Sequence, residues 1–295
     1  VLQRFTPHRA LIEKRPETGE SGMKIKEFGV RLAVAGLGIP LILACTLYGR
    51  LVFTGMIILI EVLALLEFYR LNAALGIEPN RFFGVLTTII IALDLYYTRF
   101  NVLVPVTLAS VMLIMGHEML RNKKQAMANM GVTILGILYI GLFGSLILIR
   151  EFRQDSLPYL TGGWLVMQIF FTIWICDTAA YLWGKKFGRH SLFKRVSPKK
   201  TWEGAVAGFI GGILGSFLVR FLFIPETSVR YAFALGLIIG ILGQTGDLIE
   251  SFIKRHAGVK DSGGLLPGHG GFLDRFDSQL FVAPLVYLYI SLFGI

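Results

Sequence analysis

Charge is scarce in this chain. Asp, Glu, Lys and Arg make up only 16% of its 295 residues, against 54% hydrophobic residues. The mean hydropathy of +0.66 is well above that of a soluble domain. Cysteine is scarcer still: Cys45 and Cys176 both fall in apolar runs, and neither belongs to a C-x-x-C pair. That excludes a disulfide scaffold and a cysteine-based zinc site, and predicts two free thiols. No H-E-x-x-H and no G-x-S-x-G occurs, so neither zinc-protease nor elbow-type acyl-hydrolase chemistry has its residues. Residues 1–22 lack a long apolar core and do not read as a secretory signal. Met23 is a candidate native start, with the residues before it either an added extension or an interfacial tail.

What the chain has in quantity is long apolar runs. Nine reach about the length of a membrane span: 29–49, 51–69, 82–98, 102–117, 131–149, 163–184, 204–224, 229–253 and 279–295. The expected fold is all-α, a polytopic integral membrane protein of about nine transmembrane helices. With the N-terminus cytoplasmic, 22 Lys and Arg fall on the inner side and five on the outer. This bias predicts N-terminus in and C-terminus out. It also accounts for the net charge of +10, because a basic face toward anionic lipid is sufficient, and nucleic acid is not expected as a partner.

Ionisable residues inside the runs each need a reason, since a carboxylate at the bilayer centre costs about 2.5–3.5 kcal/mol on insertion scales. Glu67, Asp177, Asp247 and Glu250 fall toward the cytoplasmic ends of their runs. Asp94 and Arg220 fall toward the outer ends, where snorkelling would serve, and Glu61 sits mid-run without an explanation. Asp247 and Glu250 share one helix face with Gln244 and continue into Ser251 and Lys254, which reads as the wall of a polar cavity open to the cytoplasm. Gly204, Gly208 and Gly212 recur every four residues, as do Gly236 and Gly240. This spacing predicts close packing of runs seven and eight, bringing the loop after Lys185 near the one after Lys254.

Two polar segments carry the chemistry. Residues 185–203 hold seven cations and one acid. Ser197 followed by Pro198 suits an N-cap and first helical position, so that backbone N–H groups, Lys199 and Lys200 would converge on an anion. In residues 251–277, Lys254, Arg255, Lys260 and Arg275 alternate with Asp261, Asp274 and Asp277 around a glycine-rich stretch containing His269. Carboxylates for a divalent ion, cations for phosphate oxygens and glycines for close backbone approach suit a polyphosphate. Intramembrane acids also suit an ion-coupled transporter, but here they cluster at one membrane face rather than at the midplane.

The run 251–277 resembles the signature of the phosphatidate cytidylyltransferases, or CDP-diacylglycerol synthases: S-x-x-K-R-x4-K-D-x-G-x2-L-P-x-H-G-G-x2-D-R-x-D. Residues 197–204 and 244–250 resemble the family more weakly, and the first half of the chain carries no matching motif. The resemblance implies transfer of CMP from CTP to phosphatidic acid, giving CDP-diacylglycerol and pyrophosphate, with Mg²⁺ as cofactor and room for a second metal ion. With the residue chemistry it implies Asp247 and Asp274 as the first-choice metal ligands, with Asp261, Asp277 and Asp177 in reserve. Lys200 and Arg275 join Asp247 and Asp274 as catalytic candidates. Ser197, Lys199, Lys200, Thr201, Lys254, Arg255, Lys260, His269 and Arg275 are the substrate-binding candidates. The expected division is a cytoplasmic segment 1–28, N-terminal helices 29–162 and a catalytic region 163–295, in a bacterial inner membrane with the site facing the cytoplasm and a homo-oligomer left open. A related membrane family that uses CTP to phosphorylate polyprenols is the alternative, and a transporter, which has no need of the signature run, is the weaker one.

Overall fold

The computed structural model describes residues 20–154, 157–265 and 270–295. In its first half α1 (Glu20–Tyr48), α2 (Arg50–Ala73), α3 (Arg81–Tyr97) and α4 (Leu103–Arg121) lead to α5 (Ala126–Gly141). This helix passes through a 3₁₀ turn, Leu142–Gly144, into α6 (Ser145–Arg150). The second half holds α7 (Leu160–Phe187), strands β1 (Ser191–Phe193) and β2 (Ser197–Thr201), α8 (Trp202–Phe223) and α9 (Val229–Ile238). A π turn, Ile239–Gly243, carries α9 into α10 (Gln244–His256), and α11 (Leu273–Phe293) closes the chain.

Among the described residues seven units are long and apolar enough to cross a membrane: α2, α4, α5 with α6, α7, α8, α9 with α10, and α11. The first and third expected runs coincide with α1 and α3. The apolar part of α1 is Leu32–Tyr48, and α3 has 17 residues, so both are shorter than the other seven. The protein is an integral membrane protein. Its core is supplied by α2, α6, α7 and α11, where Phe53, Leu65, Ile147, Val166, Leu280 and Val286 are buried. Facing outward on α8, Val206, Ile210, Leu214 and Leu218 form an apolar stripe for lipid. Its opposite face is glycine: a Cβ on Gly211 would lie 2.7 Å from Ala179 Cβ of α7, and a Cβ on Gly236 of α9 would lie 2.6 Å from Ile213 Cα of α8. The close packing expected of runs seven and eight is therefore present, with α7 joining it.

Two local expectations change. Ser197 does not cap a helix: residues Ser197–Thr201 pair antiparallel with Ser191–Phe193. The cap of α8 is Thr201, whose hydroxyl accepts from Gly204 N at 3.2 Å. Strand pairing gives Ser197–Lys200 backbone partners that a cap would not. Asp94 is buried rather than snorkelled, accepting from Thr98 Oγ1 and, at 3.3 Å, from Val102 N at the start of α4. Arg150, counted among the outer charges, is fully buried and donates to Thr46 O, to Leu47 O at 2.7 Å and to Tyr159 O at 3.4 Å. It thus satisfies carbonyls at the end of α1 that the helix itself leaves open.

Candidate active site

The C-terminal part of α7, the hairpin, the start of α8, the end of α10 and the start of α11 meet at one end of the bundle. The hairpin supplies the cations Lys199 and Lys200. A cavity of about 610 Å³ is lined by Asp177, Tyr181, Lys199, Lys200, Thr201 and Asp247, among others. Strand alternation leaves Lys199 exposed while Lys200 points inward, its Nζ 2.5 Å from Asp247 Oδ2. The C-terminal part of α10 comes to the hairpin, Arg255 Nε donating to Val196 O at 3.4 Å. The expected meeting of the two polar segments is thus observed.

Carboxylates occupy the other side of that junction. Asp247 and Glu250, three residues apart on α10, and Asp277 on α11 each bring one oxygen within 4.8 Å of the others. Gly246 allows this approach: a Cβ there would lie 2.6 Å from Asp277 O, so only a glycine lets α10 come so near α11. A second cavity of about 310 Å³ is lined by these three acids together with Asp177, Lys254, Asp261, Asp274, Arg275 and others. The two cavities share Asp177 and Asp247, so a basic chamber opens onto an acidic one. Glu250 is buried, and its Oε1 has no hydrogen-bond partner among the described residues.

Asp274, which also lines the acidic cavity, has several donors of its own. Its carboxylate accepts from Lys254 Nζ at 2.7 Å, from Ser262 N at 3.1 Å and from Gly271 N at 2.8 Å. These donors occupy both oxygens and fold the loop between α10 and α11 back on the helix ends. The same Lys254 lies 2.5 Å from Glu250 Oε2, so it is an internal counter-ion shared by two acids. Of Gly263, Gly264, Gly270 and Gly271 in this return, Gly270 alone has positive φ, at 85°.

The sequence matches the model of the Cytidylyltransferase family over residues 29–293. The chain belongs to that family. It is 34% identical to a phosphatidate cytidylyltransferase of Bacillus subtilis over 273 residues, 90% of this chain and 98% of the relative. A Staphylococcus haemolyticus protein of the same name is 31% identical, with 87% and 96% covered. Another from Staphylococcus aureus is 32% identical, with 87% and 96% covered.

For this cytidylyltransferase-family enzyme, the remaining sequence candidates are placed as follows. Arg275 is exposed and lines the acidic cavity with the exposed Asp261. Lys260 is exposed, Ser197 is half-buried in β2, and Arg255 Nη1 donates to Val259 O at 2.9 Å. His269 lies outside the described residues. Glu250 was read from sequence only as cavity wall, yet it stands with Asp247 and Asp277. The i, i+3 spacing on α10 was the signal that could have promoted it.

Proposed function

We propose that this enzyme transfers CMP from CTP to phosphatidic acid, forming CDP-diacylglycerol and pyrophosphate. The observation that carries this reading is the contact of a basic chamber with an acidic one through Lys200 and Asp247 at the end of a transmembrane bundle. A lipid phosphate at the membrane surface and a soluble triphosphate both need such a place. An unesterified oxygen of the lipid phosphate attacks the α-phosphorus of CTP. The bond from that phosphorus to the oxygen bridging it to the β-phosphate breaks, and pyrophosphate leaves. The nucleophile is already an anion, so the barrier lies in repulsion between anions and in charge gathered on the leaving group. Lys200, held at the junction by Asp247, and Lys199 at the cavity rim neutralise phosphate oxygens, and Arg275 does so from the acidic chamber. Lys254 and Asp274 instead set the shape of that chamber.

Asp247, Glu250 and Asp277 fit a hard divalent ion such as Mg²⁺: three carboxylates converge, and one keeps a buried oxygen with no hydrogen-bond partner among the described residues. When bound, such an ion supplies charge neutralisation to the triphosphate. Asp274 moves from first choice to support, because ammonium and amide donors already occupy it. The basic bias of 22 to five supports a site facing the cytoplasm in a bacterial membrane, with the chain crossing nine times if α1 and α3 also span. Incubation of purified protein with phosphatidic acid, labelled CTP and Mg²⁺ tests the reaction. Lipid-linked label with pyrophosphate is expected. Release of CDP would mean a lipid kinase, and no lipid-linked label would remove the transferase reading.

A further inference from the structure

Glu67 lies in the half of the chain where the sequence offers no motif, yet it reaches the loop that closes the site. It is fully buried near the end of α2. Its Oε2 accepts from Ser262 Oγ at 3.0 Å and from Leu273 N at 3.0 Å, partners 195 and 206 residues away. Leu273 is the first residue of α11, so Glu67 satisfies an N–H that the helix cannot pair internally, at the positive end of its dipole. Ser262 in turn donates its backbone N–H to Asp274. One carboxylate from α2 therefore fastens both ends of the return loop, and one turn further along α11 stands Asp277.

Two glycines of the loop are explained by the same residue. A Cβ on Gly263 would lie 2.5 Å from Glu67 Oε1, and a Cβ on Gly271 would collide with both Ser262 Oγ and Glu67 Oε2. Neither glycine has positive φ, so backbone freedom does not call for them. They make room for the buried carboxylate and its serine partner. Glu67 is not among the residues lining either cavity, so it acts through the loop and the helix start.

We propose that Glu67 is a positioning residue for the transfer reaction, tying Ser262 to the first turn of α11 so that Asp277 stands level with Asp247 and Glu250. The inference rests on the transferase reading for its kinetic arm alone. Three variants of the full-length protein test it: Glu67→Ala, Glu67→Gln and Gly263→Ala. Glu67→Ala should lower kcat/KM by about 10–100-fold, the range for residues that orient a ligand-bearing group, with the loss mainly in kcat. Glu67→Gln keeps an acceptor oxygen of the same reach and should recover most of it.

Gly263→Ala should imitate Glu67→Ala, because the new methyl displaces the carboxylate. The double variant should be no worse than Glu67→Ala alone, since a clamp that is already gone cannot be lost twice. Hydrogen exchange over residues 262–276 should quicken in Glu67→Ala and stay near wild type in Glu67→Gln, with protection elsewhere unchanged. Multiplying losses in the double variant, or lost activity with unchanged exchange in this loop, would overturn the clamp. So would wild-type kcat in Glu67→Ala. If wild-type protein forms no lipid-linked CMP, the transferase reading fails instead, and the exchange arm still decides whether Glu67 holds the loop.

Discussion

Neutralising Asp277 should stabilise the protein in chelator and destroy its response to Mg²⁺. The oxygens of Asp247, Glu250 and Asp277 lie within 4.8 Å of one another. Lys200 is 2.5 Å from Asp247 and Lys254 is 2.5 Å from Glu250, whereas Asp277 has only Ser278 N, at 2.7 Å, among the described residues. At that spacing and an effective dielectric of about 20, two carboxylates repel by about 3.5 kcal/mol. Asp277 faces two such neighbours, each partly offset by its lysine, so Asp277→Asn should relieve about 1–3 kcal/mol when no divalent ion is present. At about 2 °C per kcal/mol for a chain of this size, its Tm in EDTA should exceed wild type by about 2–6 °C. Mg²⁺ at 100 times its Kd should raise the wild type by about 2.7 kcal/mol, or about 5 °C, and the variant far less. Unfolding of detergent-solubilised protein followed by tryptophan fluorescence measures all four values. A variant that melts below wild type in EDTA and keeps the full Mg²⁺ shift would refute both the charge argument and the proposed ion site.

Lys200→Ala should lower transfer of labelled CMP by about 10²–10³-fold, as loss of one charge-stabilising donor does, while Lys186→Ala, outside the cavity lining, stays mild; equal effects would mean that bulk surface charge is being measured. Arg150→Met leaves the carbonyls of Thr46, Leu47 and Tyr159 without their donor. It should cost about 2–4 kcal/mol, read as a fall in Tm with an unchanged KM for CTP. Once Cys45 and Cys176 are replaced, cysteines at Lys194 and Lys260 should react with an impermeant thiol reagent only from the cytoplasmic side. Labelling of both from outside would reverse the proposed orientation.

Hydropathy made the helices legible because burial in lipid demands long apolar runs whatever the tertiary arrangement, and small-residue spacing made the α8–α9 contact legible for the same local reason. Asp94 was misjudged because a charge near a helix end can either snorkel or pair with open backbone groups, and only the neighbouring chain decides which, as it does for Arg150. Ser197-Pro198 carried a cap pattern, but Thr201 carried one too, and pairing of β1 with β2 selected the second. Each choice turned on backbone groups that the local pattern does not name.

The division of labour among the acids has the same origin. Asp247 and Glu250 lie three residues apart on α10, as Asp274 and Asp277 do on α11, so each helix offers two carboxylates on one face. Spacing alone cannot say which member of each pair meets the other helix. That depends on how far the two helices slide and turn at their crossing, which is set where Gly246 meets the Asp277 carbonyl and where Ser278 Oγ donates to Gly243 O at 3.0 Å. This contact brings Asp277 level with α10's acids and leaves Asp274 one turn nearer the loop, where Lys254 and two backbone amides claim it. The signature aspartates are thus chemically alike and positionally different. A glycine with no side chain of its own decides which of them joins the carboxylate group.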